Sequence, residues 1–456
     1  MSRIRFEWNV ESQQMERFDS EDMELKRRRR RNMILLAALI GLLLATIAVF
    51  LLFVRQRVYE VETQYAQLLQ DTVKAEVAAL RIGDLNSFLK LQDPEHAGWM
   101  NRQRLMFQRY SELKSSGAIE LTGSILAVEI AGERARALVQ EDINELPYAR
   151  LWFYRRNGDG WRHIAPDFSF WGEPGKLESP DVLVRYRGAD RELARQVSAA
   201  LQDWISRGCA ILDCGDLPNM AIEIDPEATS EIAWINAPAM RLQIRSPYVD
   251  IARADTPFDG RLQLLSSRML AERLINAHNS ELAPAYPHDA YFLRGAAIAW
   301  LSEALTGLDS GALLMRSLAE TYGDDRVARL LTQLAATSDM SILEAVLDQP
   351  PEDADLDWRD FIEWRLTLEN ELFSARRQNE WLRLYDTSDE NVRLVAYERY
   401  TRSEAAPDYR VIDQLIWSKP DGGSQLRVTV QARGADSVAE EIILFNLVNN
   451  VWKRAS

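Results

Sequence analysis

Hydrophobic and polar positions follow three different patterns along this chain, and each marks a different kind of element. From Met33 to Val54, 22 residues pass without a charge. A helix rising 1.5 Å per residue carries that run about 33 Å, enough for a ~30 Å hydrocarbon core. The pattern predicts one transmembrane helix over residues 33–54, in contact with the lipid bilayer, because only a helix satisfies such a backbone inside lipid. Past it, Val61, Tyr65, Leu68, Leu69, Val73, Val77 and Leu80 recur at helical spacing and predict a helix over 58–81, ended by Gly83-Asp84. Shorter helices are expected over 85–91 and 101–114. The period then drops to two. Strands are expected over 119–130, 134–143, 149–156 and 161–165, joined by Ala131-Gly132-Glu133 and Asn157-Gly158-Asp159-Gly160.

The C-terminus repeats this order. An amphipathic helix is expected over 357–377 and a short one over 380–385. Strands follow over 408–418, 425–433, 440–447 and 451–454, with turns at Pro420-Asp421-Gly422-Gly423 and Asn449-Asn450. Leu89-Lys90-Leu91-Gln92-Asp93 matches Leu382-Arg383-Leu384-Tyr385-Asp386, and Trp161 and Trp452 follow these segments at nearly equal intervals. This reads as a diverged internal duplication; two unrelated helix-then-sheet modules are the alternative.

Between the copies, Pro, Gly and charge mark a linker over 173–180. Strands are expected over 182–186, 220–224 and 241–245. Helices are expected over 190–206, 262–277, 290–305, 311–322, 325–337 and 341–347. In the first of these, Leu193, Val197, Ala200, Leu201 and Trp204 form the buried stripe. The fold class is therefore α+β and multidomain. Its divisions are a basic tail (1–32), the membrane helix (33–54) and three domains (58–172, 181–356, 357–456).

Charge orients this arrangement. Lys26 and Arg27 to Arg31 directly precede the apolar run, and basic clusters stay cytoplasmic. The expected location is the cell membrane, as a single-pass protein with its N-terminus inside and about 400 residues outside. The apolar run is too long for a cleaved signal sequence, and Phe53-Val54-Arg55-Gln56 offers no small-residue cleavage site. The chain carries a net charge of −15 despite that basic cluster, so the outer part is acidic and repels nucleic acid. Cys209 and Cys214 are the only cysteines; outside the cytoplasm they can close a small disulfide loop.

Trp152-Phe153-Tyr154-Arg155, Gly160-Trp161 and Phe170-Trp171-Gly172 resemble the nuclear transport factor 2-like family. The resemblance implies a cone at each end of the outer part, helices packed into a curved antiparallel sheet. His163 and Asp142 lie on its strands and are expected to be structural or surface residues.

Ala299-Trp300-Leu301-Ser302-Glu303-Ala304-Leu305 resembles a segment of the peptidase MA-like gluzincins. So do Ser341-Ile342-Leu343-Glu344-Ala345 and Trp358-Arg359-Asp360-Phe361, with the helix order over 180–362. The resemblance implies a gluzincin-like α+β core in which Glu303 takes the place of the third zinc ligand. Active members carry two His one turn apart with a Glu after the first, so both imidazoles share a helix face. This chain has Leu270-Ala271-Glu272-Arg273-Leu274-Ile275-Asn276. One register puts the ligands at Ala271 and Ile275, the other at Glu272 and Asn276. Neither supplies an imidazole, so no metal, cofactor or catalytic residue is expected. Of the four histidines, His96, His163, His278 and His288, the last two are expected in exposed loops, and Glu272 to pair with Arg268 or Asn276.

Three functions follow. The first is a non-catalytic binding or scaffolding protein with a protein or peptide partner outside the cytoplasm. The second is a zinc metallopeptidase with unusual ligands. The third is small-ligand binding in a cone pocket.

Overall fold

A computed structural model describes residues 11–158, 160–279, 284, 286–350, 352–402, 408–418, 423–433 and 438–455. The expected turn at 420–423 falls almost wholly outside these residues, as do residues 1–10 of the basic tail and Asp159. The chain is mixed α+β and divides into two compact units: residues 1–139 with 152–165, and residues 140–151 with 166–456.

The first unit begins with α1 (Glu11–Ile82), which runs without interruption through the apolar segment. The two helices expected over 33–54 and 58–81 are thus one. No residue between 54 and 58 breaks it, and Arg55, Gln56 and Arg57 are all good helix formers. One part of α1 is long and apolar enough to cross a membrane. Gly83 ends the helix at φ +79°, and Asp84 caps α2 (Leu85–Lys90) by accepting from Ser87 N–H at 3.0 Å. Then come α3 (Ala97–Ser115), β1 (Ile119–Glu120), β2 (Ile125–Ala131), β3 (Arg134–Ile143), β4 (Leu146–Asn157) and β5 (Gly160–Ile164). Strands β2, β3, β4 and β5 pair antiparallel in that order. Leu69, Val73, Val77 and Leu80 bury one stripe of α1 against Phe88, Phe107, Trp152, Tyr154 and Trp161. At roughly 1.5–3 kcal/mol each, these four side chains stabilise the docked helix by up to about 6–12 kcal/mol. Val61 and Leu68, expected on the same stripe, are exposed; Val61 lines an open groove with Ile130 of β2 instead of entering the core.

The second unit takes in the end of the β3–β4 hairpin, where Tyr148 and Ala149 pair with a two-residue strand further on. Its main sheet is built from β6 (Pro174–Glu178), β7 (Val182–Arg187), β8 (Met220–Asp225), β9 (Ile232–Asn236) and β10 (Arg241–Arg245), ordered β6-β7-β8-β10-β9. Residues 174–178, expected in a linker, form an edge strand: Pro174 needs no partner for a missing N–H there, and β7 supplies the ladder. Strands β7, β8 and β10 run parallel, with helix α4 (Arg191–Leu212) as the first crossover. The hairpin's partner is β11 (Ala252–Arg253). Helices α5 (Gly260–His278), α6 (Asp289–Thr306), α7 (Leu313–Tyr322), α8 (Asp324–Gln333) and α9 (Ile342–Leu347) complete the core. A Cβ on Gly208 of α4 would lie 2.4 Å from Leu274 Cδ1 of α5, so these helices approach closely only because that residue is glycine. Beside it a disulfide joins Cys209 and Cys214, 4.9 Å apart at Cα, and Asp213 closes α4 in the left-handed conformation.

The same unit ends in α10 (Arg359–Ser374), α11 (Gln378–Leu382), α12 (Glu390–Arg402), β12 (Asp408–Ser418), β13 (Ser424–Arg433), β14 (Val438–Val448) and β15 (Val451–Arg454). The four strands pair antiparallel in sequence order, like β2 to β5. Helix α12, absent from the expected elements, follows α11 in chain order as α3 follows α2 in the first unit. Asn449 and Asn450 both have positive φ, as the two-residue turn between β14 and β15 requires.

Candidate functional site

Helices α5 and α6 hold the positions at which the sequence places a degenerate metal site. Ala271 and Ile275 are fully buried in the apolar core. Glu272 and Asn276 lie half-buried on the next face, where Arg294 of α6 reaches both, Glu272 Oε1 at 3.0 Å and Asn276 Oδ1 at 2.8 Å. Arg294 thus replaces the expected partners of Glu272, because α6 runs beside that face. Arg273 donates to Ala237 O at 2.9 Å.

Glu303 does not join this cluster. It follows Arg294 by nine residues on α6, about 13 Å along the axis. Its neighbour Ser302 meets Ser267 of α5, two turns before Ile275. In either register the assigned positions and Glu303 therefore fail to converge. Glu303 is instead held by Arg316 Nε at 2.7 Å and by Ser310 N–H and Oγ at 3.3 and 3.1 Å. Arg316 also grips Asp309. Donating hydrogen bonds to Glu303 raises the Arg316 pKa, against the opposing effect of burial. That of Asp309 is lowered, first by the Gly311 N–H and then by Arg316. Both carboxylates assigned to the metal site are committed to guanidinium groups, and the donor set does not fit a zinc ion.

The histidines do not complete it. His278 is the last residue of α5, half-buried, not in an exposed loop: Nδ1 meets Leu212 O, and Nε2 lies 2.9 Å from Thr332 Oγ1. Both ring nitrogens are occupied because α4 and α8 pack on the helix end. His288 is also half-buried, at the N-cap of α6 beside the buried Asp289. Asp93, Glu95 and His96 place donor atoms within 4.8 Å of one another, but Arg155 Nη1 lies 3.5 Å from Glu95 and 3.9 Å from Asp93, already supplying the positive charge.

A buried polar centre lies in the first unit. Glu76 of α1 is completely buried and takes three partners: His163 Nδ1 at 2.7 Å, Gln92 Nε2 at 2.9 Å and Tyr154 OH at 3.2 Å. The His163 ring stacks on Trp152 and Tyr154, with centroids 5.1 and 5.0 Å away, and meets Trp99 edge-on. Burial, then the Glu76 charge, holds the Tyr154 pKa well above the ordinary phenol value. Asp142 is half-buried and accepts from Gln140 at 3.0 Å.

The second unit contains the same arrangement. Glu369 of α10 is buried against Arg454 of β15 at 2.7 Å, and Tyr385 OH donates to it. The backbone repeats as well. Asp93 N–H donates to His163 O and His163 N–H to Leu91 O; Asp386 N–H donates to Arg454 O and Arg454 N–H to Leu384 O, all at 2.9 Å. Tyr65 meets Trp161 edge-on, and Trp358 meets Trp452 edge-on. One sequence interval separates Glu76 from Glu369 and Gln92 from Tyr385. In each module a buried Glu links the long helix to the last strand. The Leu89 and Leu382 segment match was the signal that could have located both glutamates.

Comparisons with protein-family models, with curated proteins and with solved structures each return no match.

Proposed function

We propose that this chain is a membrane-anchored, non-catalytic binding or scaffolding protein, its N-terminus cytoplasmic and its folded part outside. A degenerate gluzincin-like core lies between two cone-like modules, and the partner is a protein or peptide. One observation carries the reading: Arg294 holds Glu272 and Asn276, Arg316 holds Glu303, and the two sets lie about 13 Å apart along α6. Without a metal to lower the pKa of bound water, peptide hydrolysis has no nucleophile at this place. The two cone-like modules have the same helix-and-strand order and the same buried stitch, which supports a duplicated scaffold.

The test is metal content and peptide hydrolysis of the full-length protein purified in detergent, with crosslinking in intact membranes. Zinc well below one equivalent, no hydrolysis with added zinc, and a discrete crosslinked complex are expected. One equivalent of zinc that disappears in Glu303→Gln overturns the non-catalytic reading. A chain that crosslinks to nothing in its native membrane overturns the scaffold.

A further inference from the structure

Just past the apolar run, α1 and the β2–β3 hairpin enclose a groove of about 360 Å³. Its walls are Val58, Val61 and Ile130, with the half-buried Tyr65 closing the far end. Tyr65 is fixed in place: Arg156 lies over its ring at 4.2 Å, and Trp161 Nε1 donates to its carbonyl at 3.2 Å. Arg57 and Glu62 line it as well, Arg57 nearer the apolar run.

Depth says what fills this groove. Because α1 is continuous, residue number converts directly to distance. Arg57 lies about 4.5 Å beyond Val54 along the axis, Val58 about 6 Å and Glu62 about 12 Å. The headgroup layer of a bilayer reaches roughly 5–7 Å past the hydrocarbon. Arg57 therefore stands among lipid phosphates and Val58 at the outer part of the headgroup layer, while the Glu62 backbone lies about 5 Å beyond that layer and its side chain leans back toward it, as helical side chains lean toward the N-terminus. A zwitterionic headgroup has the same order of charge, phosphate nearer the hydrocarbon and ammonium further out. The geometry points to a binding site for the zwitterionic, amine-bearing headgroup of a phospholipid in the adjoining leaflet. Its phosphate pairs with Arg57, its ammonium with Glu62, and its methylene or methyl groups lie on Val58, Val61 and Ile130. An anionic headgroup lacks the ammonium and would meet Glu62 unpaired. Arg57 already approaches Glu60 at 3.3 Å, an exposed pair that a phosphate displaces at little cost.

The inference rests on the membrane reading above. The test keeps the two separable. Full-length protein is placed in nanodiscs of mixed phosphatidylethanolamine, phosphatidylcholine and phosphatidylglycerol, then stripped stepwise and weighed by native mass spectrometry; flotation with vesicles reads insertion separately. One tightly held zwitterionic lipid per chain is expected, with retention falling about tenfold in Glu62→Lys, the size of one charge-assisted contact. Ile130→Asp, which breaks the apolar wall, should lose it too, and Gln64→Ala should not. Val61→Trp fills the groove without adding charge and should also expel the lipid, which covers the case in which Ile130→Asp unfolds. A chain that floats but holds anionic lipid equally well, or keeps its lipid in Glu62→Lys and Val61→Trp, overturns the site. A chain that does not float overturns the membrane reading and the site with it.

Discussion

At Asp360, burial and hydrogen bonding pull one carboxyl in opposite directions. It accepts from Leu314 N–H at 3.2 Å and Phe361 N–H at 2.8 Å, which caps the start of α7. Burial is the larger effect and pushes its pKa from 3.8 to about 7. The folded state therefore binds this proton more tightly than the unfolded chain does. The stability it contributes is complete below the unfolded value of 3.8 and is lost as pH rises through about 7. Asp360→Asn keeps an acceptor for the cap and cannot ionise. Urea titrations at pH 4 and pH 8 should show the wild type losing more stability over that interval than Asp360→Asn. Equal losses in the two proteins would mean that Asp360 does not carry the dependence.

At the scale of elements, the buried Glu369–Arg454 pair ties α10 to β15. Arg454 stays charged: burial opposes this, and Glu369 more than offsets it, holding the guanidinium above its ordinary pKa. Arg454→Met leaves the carboxylate with Tyr385 OH and should cost about 3–5 kcal/mol, whereas removing both charges in Glu369→Leu/Arg454→Met should cost less than Arg454→Met alone. Chemical denaturation of the two single variants and the double variant measures the coupling. Additive losses would show that the pair does not act as one unit.

This stitch marks how far the sequence was legible. The stripe Leu69, Val73, Val77 and Leu80 announced its helix because one face of α1 meets the sheet. Helix α12 did not, since among its described side chains only Val392 and Ala396 are buried, while Leu394 and Val395 are exposed. Strand β6 was hidden by Pro174 and Gly175, which punctuate loops until a neighbouring strand supplies the ladder. At the candidate site, the missing imidazoles were visible from residue types alone. The arginine that occupies Glu272 was not, because which face α6 turns toward α5 is set by the packed core.

For the molecule as a whole, charge and hydropathy bear on which side of a membrane the fold lies. Lys26 and Arg27 to Arg31 precede the apolar part of α1, while Arg55 and Arg57 follow it. Six basic residues against two favour keeping the tail inside, since the imbalance close to the span sets orientation. Replacing residues 26–31 with Gln reverses that local balance and leaves Arg55 and Arg57 as the dominant charges. Protease added to intact cells should then distinguish the proteins through tags at each end. In the wild type it should remove the C-terminal tag and spare the N-terminal one. In the Gln-substituted protein a measurable fraction should show the opposite pattern, while the fold is unchanged because none of the six side chains is buried. A wild-type chain whose N-terminal tag is cut from outside would place the acidic modules in the cytoplasm. The headgroup groove would then face the inner leaflet, and its preference for zwitterionic over anionic lipid would have to hold against the acidic lipids there.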